Sequence, residues 1–147
     1  MTAQENEALV RAQLDLYNSH LSDSAWIEKK GEIFTEDFEL VDISSGTVLR
    51  GAEGFQQSHS FYKEAFHDHQ VEIVNVVATE DQVVVEFVGR GTHSGPLRLP
   101  TGHVPSTGRQ GELRCCNVYQ IRDGKISSIR SYYCGKTLRE QVGLGVS

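Results

Sequence analysis

Between residues 2 and 20 the apolar positions Ala8, Leu9, Ala12, Leu14, Leu16 and Tyr17 recur mainly at helical spacing, and Thr2 with Glu5 has the form of a capping box. A first helix is predicted there. Ser22, Asp23 and Ser24 offer a second N-cap ahead of Trp26, Ile27, Ile33 and Phe34, which gather near one face of a short second helix loosened near Gly31. Phe38, Leu40 and Asp42 then alternate with Glu39 and Val41 before Ser44, Ser45 and Gly46, the pattern of a strand entering a turn. Alternation puts the Asp42 side chain on the side of Phe38 and Leu40, an unusual place for a carboxylate.

From Gly51 to Phe66 the residues Ala52, Phe55, His59, Tyr62 and Phe66 fall at steps of three and four, so a third helix carries an aromatic stripe with one histidine. Two runs rich in Val, Ile and Phe, 70 to 78 and 82 to 92, flank the polar turn Thr79, Glu80, Asp81 and predict an antiparallel pair. Pro96, Pro100 and Pro105 crowd with Gly95, Gly102 and Gly108 into one stretch, expected to be a long loop without regular structure. Two further strands, 111 to 122 and 125 to 134, meet at Asp123 and Gly124, a strong hairpin signal, and residues 137 to 142 add a helical turn.

Helices gathered toward the N-terminus and four antiparallel strands after them predict an α+β domain, helices on one face of a curved sheet. Such an arrangement encloses a pocket, the default site of small-molecule chemistry. The 147 residues fit a single domain spanning 1–147, with 38% hydrophobic residues and twelve aromatics to fill one core. A formal charge of -6 without a basic cluster argues against nucleic-acid binding. Apolar runs of only a few residues and the acidic start Met-Thr-Ala-Gln-Glu-Asn-Glu argue against a membrane span or an export signal. Three cysteines, Cys115, Cys116 and Cys134, cannot all pair, so reduced thiols in the cytoplasm are expected.

Asp42 is the first candidate for chemistry. A carboxylate set among Phe38 and Leu40 is dehydrated and becomes a base able to take a carbon-bound proton; the alternative is an Asp that caps the Ser44–Gly46 turn. Cys134 acts as acid or base only if neighbouring charge activates its thiol, and is otherwise an inert buried cysteine. His59 either hangs into the pocket beside Phe55, Tyr62 and Phe66 or is a satisfied core histidine. His93 closes a strand face with Phe87, where it contacts substrate or, the preferred reading, anchors the Pro/Gly loop. Asn117 can donate to a developing oxyanion without ionising, or can satisfy the strand ladder. His67, Asp68 and His69 stand too close together to converge on one ion, so no metal site is expected.

The segments Gly91-Thr92-His93-Ser94-Gly95, Pro105-Ser106-Thr107-Gly108-Arg109, Arg122-Asp123-Gly124-Lys125-Ile126 and Gln141-Val142-Gly143-Leu144 resemble, in order and spacing, the SnoaL-like polyketide cyclases of the nuclear-transport-factor-2-like superfamily, which also holds the ketosteroid isomerases. The resemblance implies a cone-shaped, mostly antiparallel sheet with three helices around a hydrophobic pocket, a homodimer, and no cofactor. It implies proton-transfer chemistry (isomerisation, cyclisation or elimination) on a polyketide-, steroid- or terpenoid-like molecule. The isomerase base matches Asp42, its oxyanion-binding acid Asn117, and its oxyanion Tyr falls near Gln13. The cyclase acid-base Asp matches Cys134 in Tyr132-Tyr133-Cys134, and its paired histidine Gln120. His59, Cys134, Asp42 and Asn117 are thus the expected catalytic set. Tyr17, Trp26, Phe38, Phe55, Tyr62, Phe66, Phe87, His93, Tyr119 and Tyr132 are the expected substrate contacts. The alternatives are a non-catalytic binding or dimerisation module of the same fold, and an epoxide hydrolase or hydratase.

Overall fold

The structure, a computed structural model, describes residues 2–19, 23–99, 102–141 and 143. The first helix, α1 (Ala3–Asn18), starts at the expected cap: Thr2 Oγ1 accepts from the Glu5 backbone N–H at 3.1 Å. It buries Val10 and Leu14 together with two polar side chains, Asn6 and Gln13. Its two ends are fastened to the turn after one strand and to the start of that strand. Asn6 Nδ2 donates to the Thr79 carbonyl, and the Asn18 amide exchanges two hydrogen bonds with the Val71 backbone, like a strand residue.

Helix α2 (Asp23–Ile33) runs through Gly31 and passes directly into β1 (Phe34–Asp42). After the Ser44–Gly46 turn, β2 (Thr47–Arg50) folds back antiparallel on β1. Sequence patterning missed β2, because only Leu49 among its four residues is even half-buried. Helix α3 (Gly51–Ala65) lies across β1 and β2. The meander β3 (Gln70–Ala78), β4 (Gln82–Thr92), β7 (Gln110–Arg122) and β8 (Lys125–Tyr133) follows the predicted boundaries closely. Asp123 and Gly124 both take positive φ at the β7–β8 hairpin, as a type I′ turn requires.

The sheet order is β2-β1-β8-β7-β4-β3, with β1 parallel to β8 and every other pair antiparallel. The parallel pair escapes local reading, because turn signals report consecutive partners and β1 pairs with the strand most distant in sequence. The result is an α+β domain with its helices on a six-stranded mixed, mostly antiparallel sheet, the nuclear-transport-factor-2-like arrangement. Its main core joins Val10 and Leu14 of α1 to Phe34, Phe38, Val83, Val85, Ile126 and Ile129 of the sheet.

The Pro/Gly stretch overturns the expectation of a long loop without regular structure. It forms a small hairpin of β5 (Leu97–Leu99) and β6 (Gly102–Val104). Pro96 and Pro105 flank the two strands, where a missing N–H removes no ladder bond. Leu97, 1% exposed, pins the hairpin to Ala65 and Phe66 at the end of α3. A last helix, α4 (Gly135–Gln141), packs on β7.

Candidate functional site

Sheet curvature leaves a cavity of about 130 Å³ between the inner strand faces and helices α1 and α3. Alternation along β7 sends Leu113, Cys115, Asn117 and Tyr119 into it, and along β8 it sends Ile129, Ser131 and Tyr133. Helix α1 adds Gln13, Leu14 and Tyr17; α3 adds Phe55, Ser58 and Tyr62. Phe66 and His69, between α3 and β3, and Phe87 of β4 close the side toward β3. The wall is mostly apolar; besides Ser58, His69, Gln70 and Arg90, its polar side chains gather at two places.

The first is a chain of three oxygens. Tyr133 donates its hydroxyl proton to Asp42 Oδ2 at 2.5 Å, and the Tyr62 phenol stands beside Tyr133. Tyr133 has one proton and gives it to Asp42, so its oxygen is left free to accept from the side of Tyr62. Asp42 also accepts the Ser45 backbone N–H at 3.1 Å through Oδ1, so the turn-capping and inward-facing readings hold together, one oxygen each. Burial pushes the Tyr62 phenol up to about 12, and it raises Tyr133 as well, helped by the neighbouring Tyr62 and Asp42. Both phenols are therefore protonated donors at neutral pH.

The second is the floor. Tyr119 donates to Gln13 Oε1 at 2.9 Å, and Asn117, two residues before it on the same strand, has an Oδ1 that is buried without a partner. An amide that is 9% exposed and carries one unsatisfied oxygen at a cavity wall is poised for a ligand hydrogen bond. Cys115, beside it, is pushed up to about 12 by burial and stays a neutral thiol.

Of the expected residues, Asn117, Tyr17, Phe55, Tyr62, Phe66, Phe87 and Tyr119 meet on the cavity wall, and Asp42 stands one hydrogen bond behind it. His59 stacks outside the wall on Tyr17, ring centroids 4.4 Å apart, and edge-on to His69. The others lie elsewhere. Phe38 is wholly buried in the main core against Phe34. His93 is wholly buried too, with Nδ1 on Thr107 Oγ1 at 2.9 Å, and its backbone bonds Arg109 and Gly108; it anchors the loop. Tyr132 is 42% exposed on the opposite sheet face, and Cys134 is exposed past the end of β8. The Trp26 side chain lies outside the described residues. His69 turns into the wall while Asp68 reaches away to Thr92, so the triplet His67 to His69 does not converge.

A family model for the SnoaL-like polyketide cyclases matches residues 8–142. The chain belongs to the SnoaL-like polyketide cyclase family. Among solved structures, it is similar to a candidate SnoaL-like polyketide cyclase from Jannaschia sp. CCS1 (TM-score 0.81, 20% identity, 99% of this chain and 96% of that one). It is similar to IdmH, a candidate polyketide cyclase from Streptomyces antibioticus (TM-score 0.74, 25% identity, 94% and 98%). A third is a Catenulispora acidiphila protein with a ketosteroid isomerase-like fold (TM-score 0.70, 20% identity, 93% of each chain). No curated protein matches the chain.

Within this SnoaL-like chain the two positions that resemblance assigns to cyclase acid-base chemistry face away from the cavity. Gln120 accepts from Gln82 and donates to the Asp81 carbonyl, and Cys134 is solvent-exposed. Sequence reading missed Tyr133 and chose Tyr132. The signal was present: stepping by two from the apolar Ile129 passes through Ser131 to Tyr133.

Proposed function

We propose that the chain is a cofactor-independent enzyme that isomerises, cyclises or eliminates by moving a proton next to a carbonyl of a hydrophobic polyketide-, steroid- or terpenoid-like compound. The observation that carries this reading is the Tyr133–Asp42 hydrogen bond at the cavity wall. A carbon-bound proton passes to Tyr133 Oη as the tyrosine's own proton moves to Asp42 Oδ2. Tyr133 is neutral before and after, no free phenolate forms, and the charge lost at Asp42 appears on the substrate oxygen. An amide hydrogen of Asn117 binds that oxyanion, and the proton held on Asp42 returns through Tyr133 to the new carbon position. Tyr62 holds Tyr133 in line.

This reading differs from the family-derived one in giving the substrate contact to Tyr133, with Asp42 behind it. Cys134, His59 and Tyr132 take no part. The test uses 3-cyclohexenone, a single-ring ketone, and follows its conversion to the conjugated 2-cyclohexenone in the ultraviolet. Wild type accelerates it, and Asp42→Asn loses that acceleration. Turnover unchanged in Asp42→Asn overturns the assignment.

A second reading is a non-catalytic binder of the same ligand class, favoured by the structural hydrogen bonds of Gln120 and the exposure of Cys134. Tight binding of the ring with no chemical change over long incubation supports it. In either reading the chain pairs as a homodimer through the sheet face that exposes Val74 and Val77, 57% and 56% accessible.

A further inference from the structure

A chamber of about 130 Å³ is too small for a polycyclic molecule. An apolar cavity of about 150 Å³ accommodates one benzene. Whatever enters here inserts roughly one ring and leaves the rest outside.

Outside lies a second, more open hollow of about 530 Å³. It shares four wall residues with the chamber: Gln70, Arg90, Gly91 and Gly111. Gly91 and Gly111 are direct cross-strand partners in β4 and β7, so the two spaces meet at a cross-strand pair without side chains. The two glycines differ. A Cβ on Gly91 would stand 2.9 Å from Phe66 Cβ, so close packing explains that residue. A Cβ on Gly111 would meet the Phe66 ring edge at 3.4 Å, Gln141 Oε1 at 3.6 Å and the Gly91 carbonyl at 3.9 Å, and nothing in the backbone geometry demands glycine there. What a side chain at 111 would occupy is the passage.

The outer hollow is polar and of defined charge. Arg90 is committed to Glu72 at 2.5 Å and Glu112 at 3.2 Å. Asp68 accepts the Thr92 N–H and hydroxyl, which hold its carboxyl below the usual range, and among the described residues it has no ion-pair partner. The hollow thus offers amides, a hydroxyl and an uncompensated carboxylate.

We infer that the substrate is a two-part molecule, one apolar ring in the inner chamber joined through the Gly91–Gly111 doorway to an uncharged, hydroxylated or amide-bearing portion in the outer hollow, and that an anionic group there is rejected. The inference rests on the inner cavity being the substrate chamber.

Equilibrium binding of three probes tests it without any need for turnover: phenol, phenyl β-glucoside and phenyl β-glucuronide. In wild type at low salt the glucoside binds more tightly than phenol, and more tightly than the glucuronide by about fivefold or more. Gly111→Leu weakens the glucoside by about tenfold while phenol changes less than about twofold. Gly111→Ala gives a smaller loss of the same sign, and Asp68→Asn narrows the gap between glucoside and glucuronide. A glucoside no better than phenol, a preferred glucuronide, or glucoside binding indifferent to both Gly111 variants overturns the inference and leaves the proposed chemistry standing. Wild type that fails to bind phenol overturns both.

Discussion

Tyr119 Oη and Gln13 Oε1 meet at 2.9 Å across 106 positions of sequence, both side chains buried, and their hydrogen bond fixes α1 to the middle strand at the floor of the cavity. Gln13→Leu keeps the volume and strands the Tyr119 hydroxyl without an acceptor in an apolar setting. The expected loss of stability is about 1–3 kcal/mol by urea titration. Tyr119→Phe carries a similar cost by orphaning Gln13, and the double variant falls short of the sum. Strict additivity would mean that the bond contributes nothing.

The Tyr62–Tyr133–Asp42 chain makes a kinetic prediction of the same form. If Tyr133 and Asp42 move one proton as a unit, Tyr133→Phe and Asp42→Asn each lower conversion of 3-cyclohexenone by about 10²–10⁴, and the double variant is no slower than the worse single one. Tyr62→Phe removes only an orienting donor, so its loss is smaller. Two single effects that multiply in the double variant would separate the residues and undo the relay.

Phe38 and Tyr17 divide core from site. Phe38 is wholly buried against Phe34, centroids 4.5 Å apart, and lines neither the chamber nor the outer hollow. Phe38→Ala is expected to cost about 3–5 kcal/mol in stability with phenol affinity unchanged under conditions where the variant is folded. A selective loss of affinity would return Phe38 to the binding wall.

The contrast between Tyr132 and Tyr133 marks how far sequence reading reaches. Periodicity located α1, α3 and the four-strand meander, because amphipathic faces and turn residues are local signals. It placed Asp42 correctly on the side of Leu40, because two residues along a strand return to one face. Three things it could not supply. The β1–β8 parallel pairing joins segments more than eighty residues apart, with no turn between them to announce it. Buried polar residues such as Asn6 and Gln13 look like solvent-facing helix positions until the strand edge and Tyr119 that satisfy them are in place. The Pro/Gly stretch held a hairpin because Leu97 finds an apolar seat on Phe66, a tertiary contact that outweighs weak local propensity.

His93 gives the fold a pH dependence. Burial lowers its folded-state pKa from the ordinary 6.5, with a smaller opposing effect from the Gly95 backbone. The folded state thus disfavours the imidazolium that the unfolded chain accepts freely. Its contribution is complete above about 6.5 and is lost as pH falls from there toward the folded value. Wild type should lose about 2–4 °C more in Tm between pH 7.5 and 5 than His93→Gln, which cannot titrate. Equal slopes would show the ring to be as easily charged inside the fold as outside.

The three thiols report on the cavity from different distances. Cys134 is exposed, and its hydrogen bonds with Thr137 and the nearby backbone lower its pKa, whereas burial raises Cys116 and pushes Cys115 up to about 12. Reaction with iodoacetamide requires both thiolate and access, so Cys134 is expected to be alkylated first, by on the order of tenfold or more over Cys115 at pH 7.5. Peptide mass spectrometry resolves the sites, since Cys115 and Cys134 stand well apart in the sequence. The slow label at Cys115 then reads occupancy, because its sulfur lines the chamber beside Asn117. Saturating phenol should slow Cys115 further and leave Cys134 untouched. Protection spread equally over both thiols would place the ring somewhere other than this chamber.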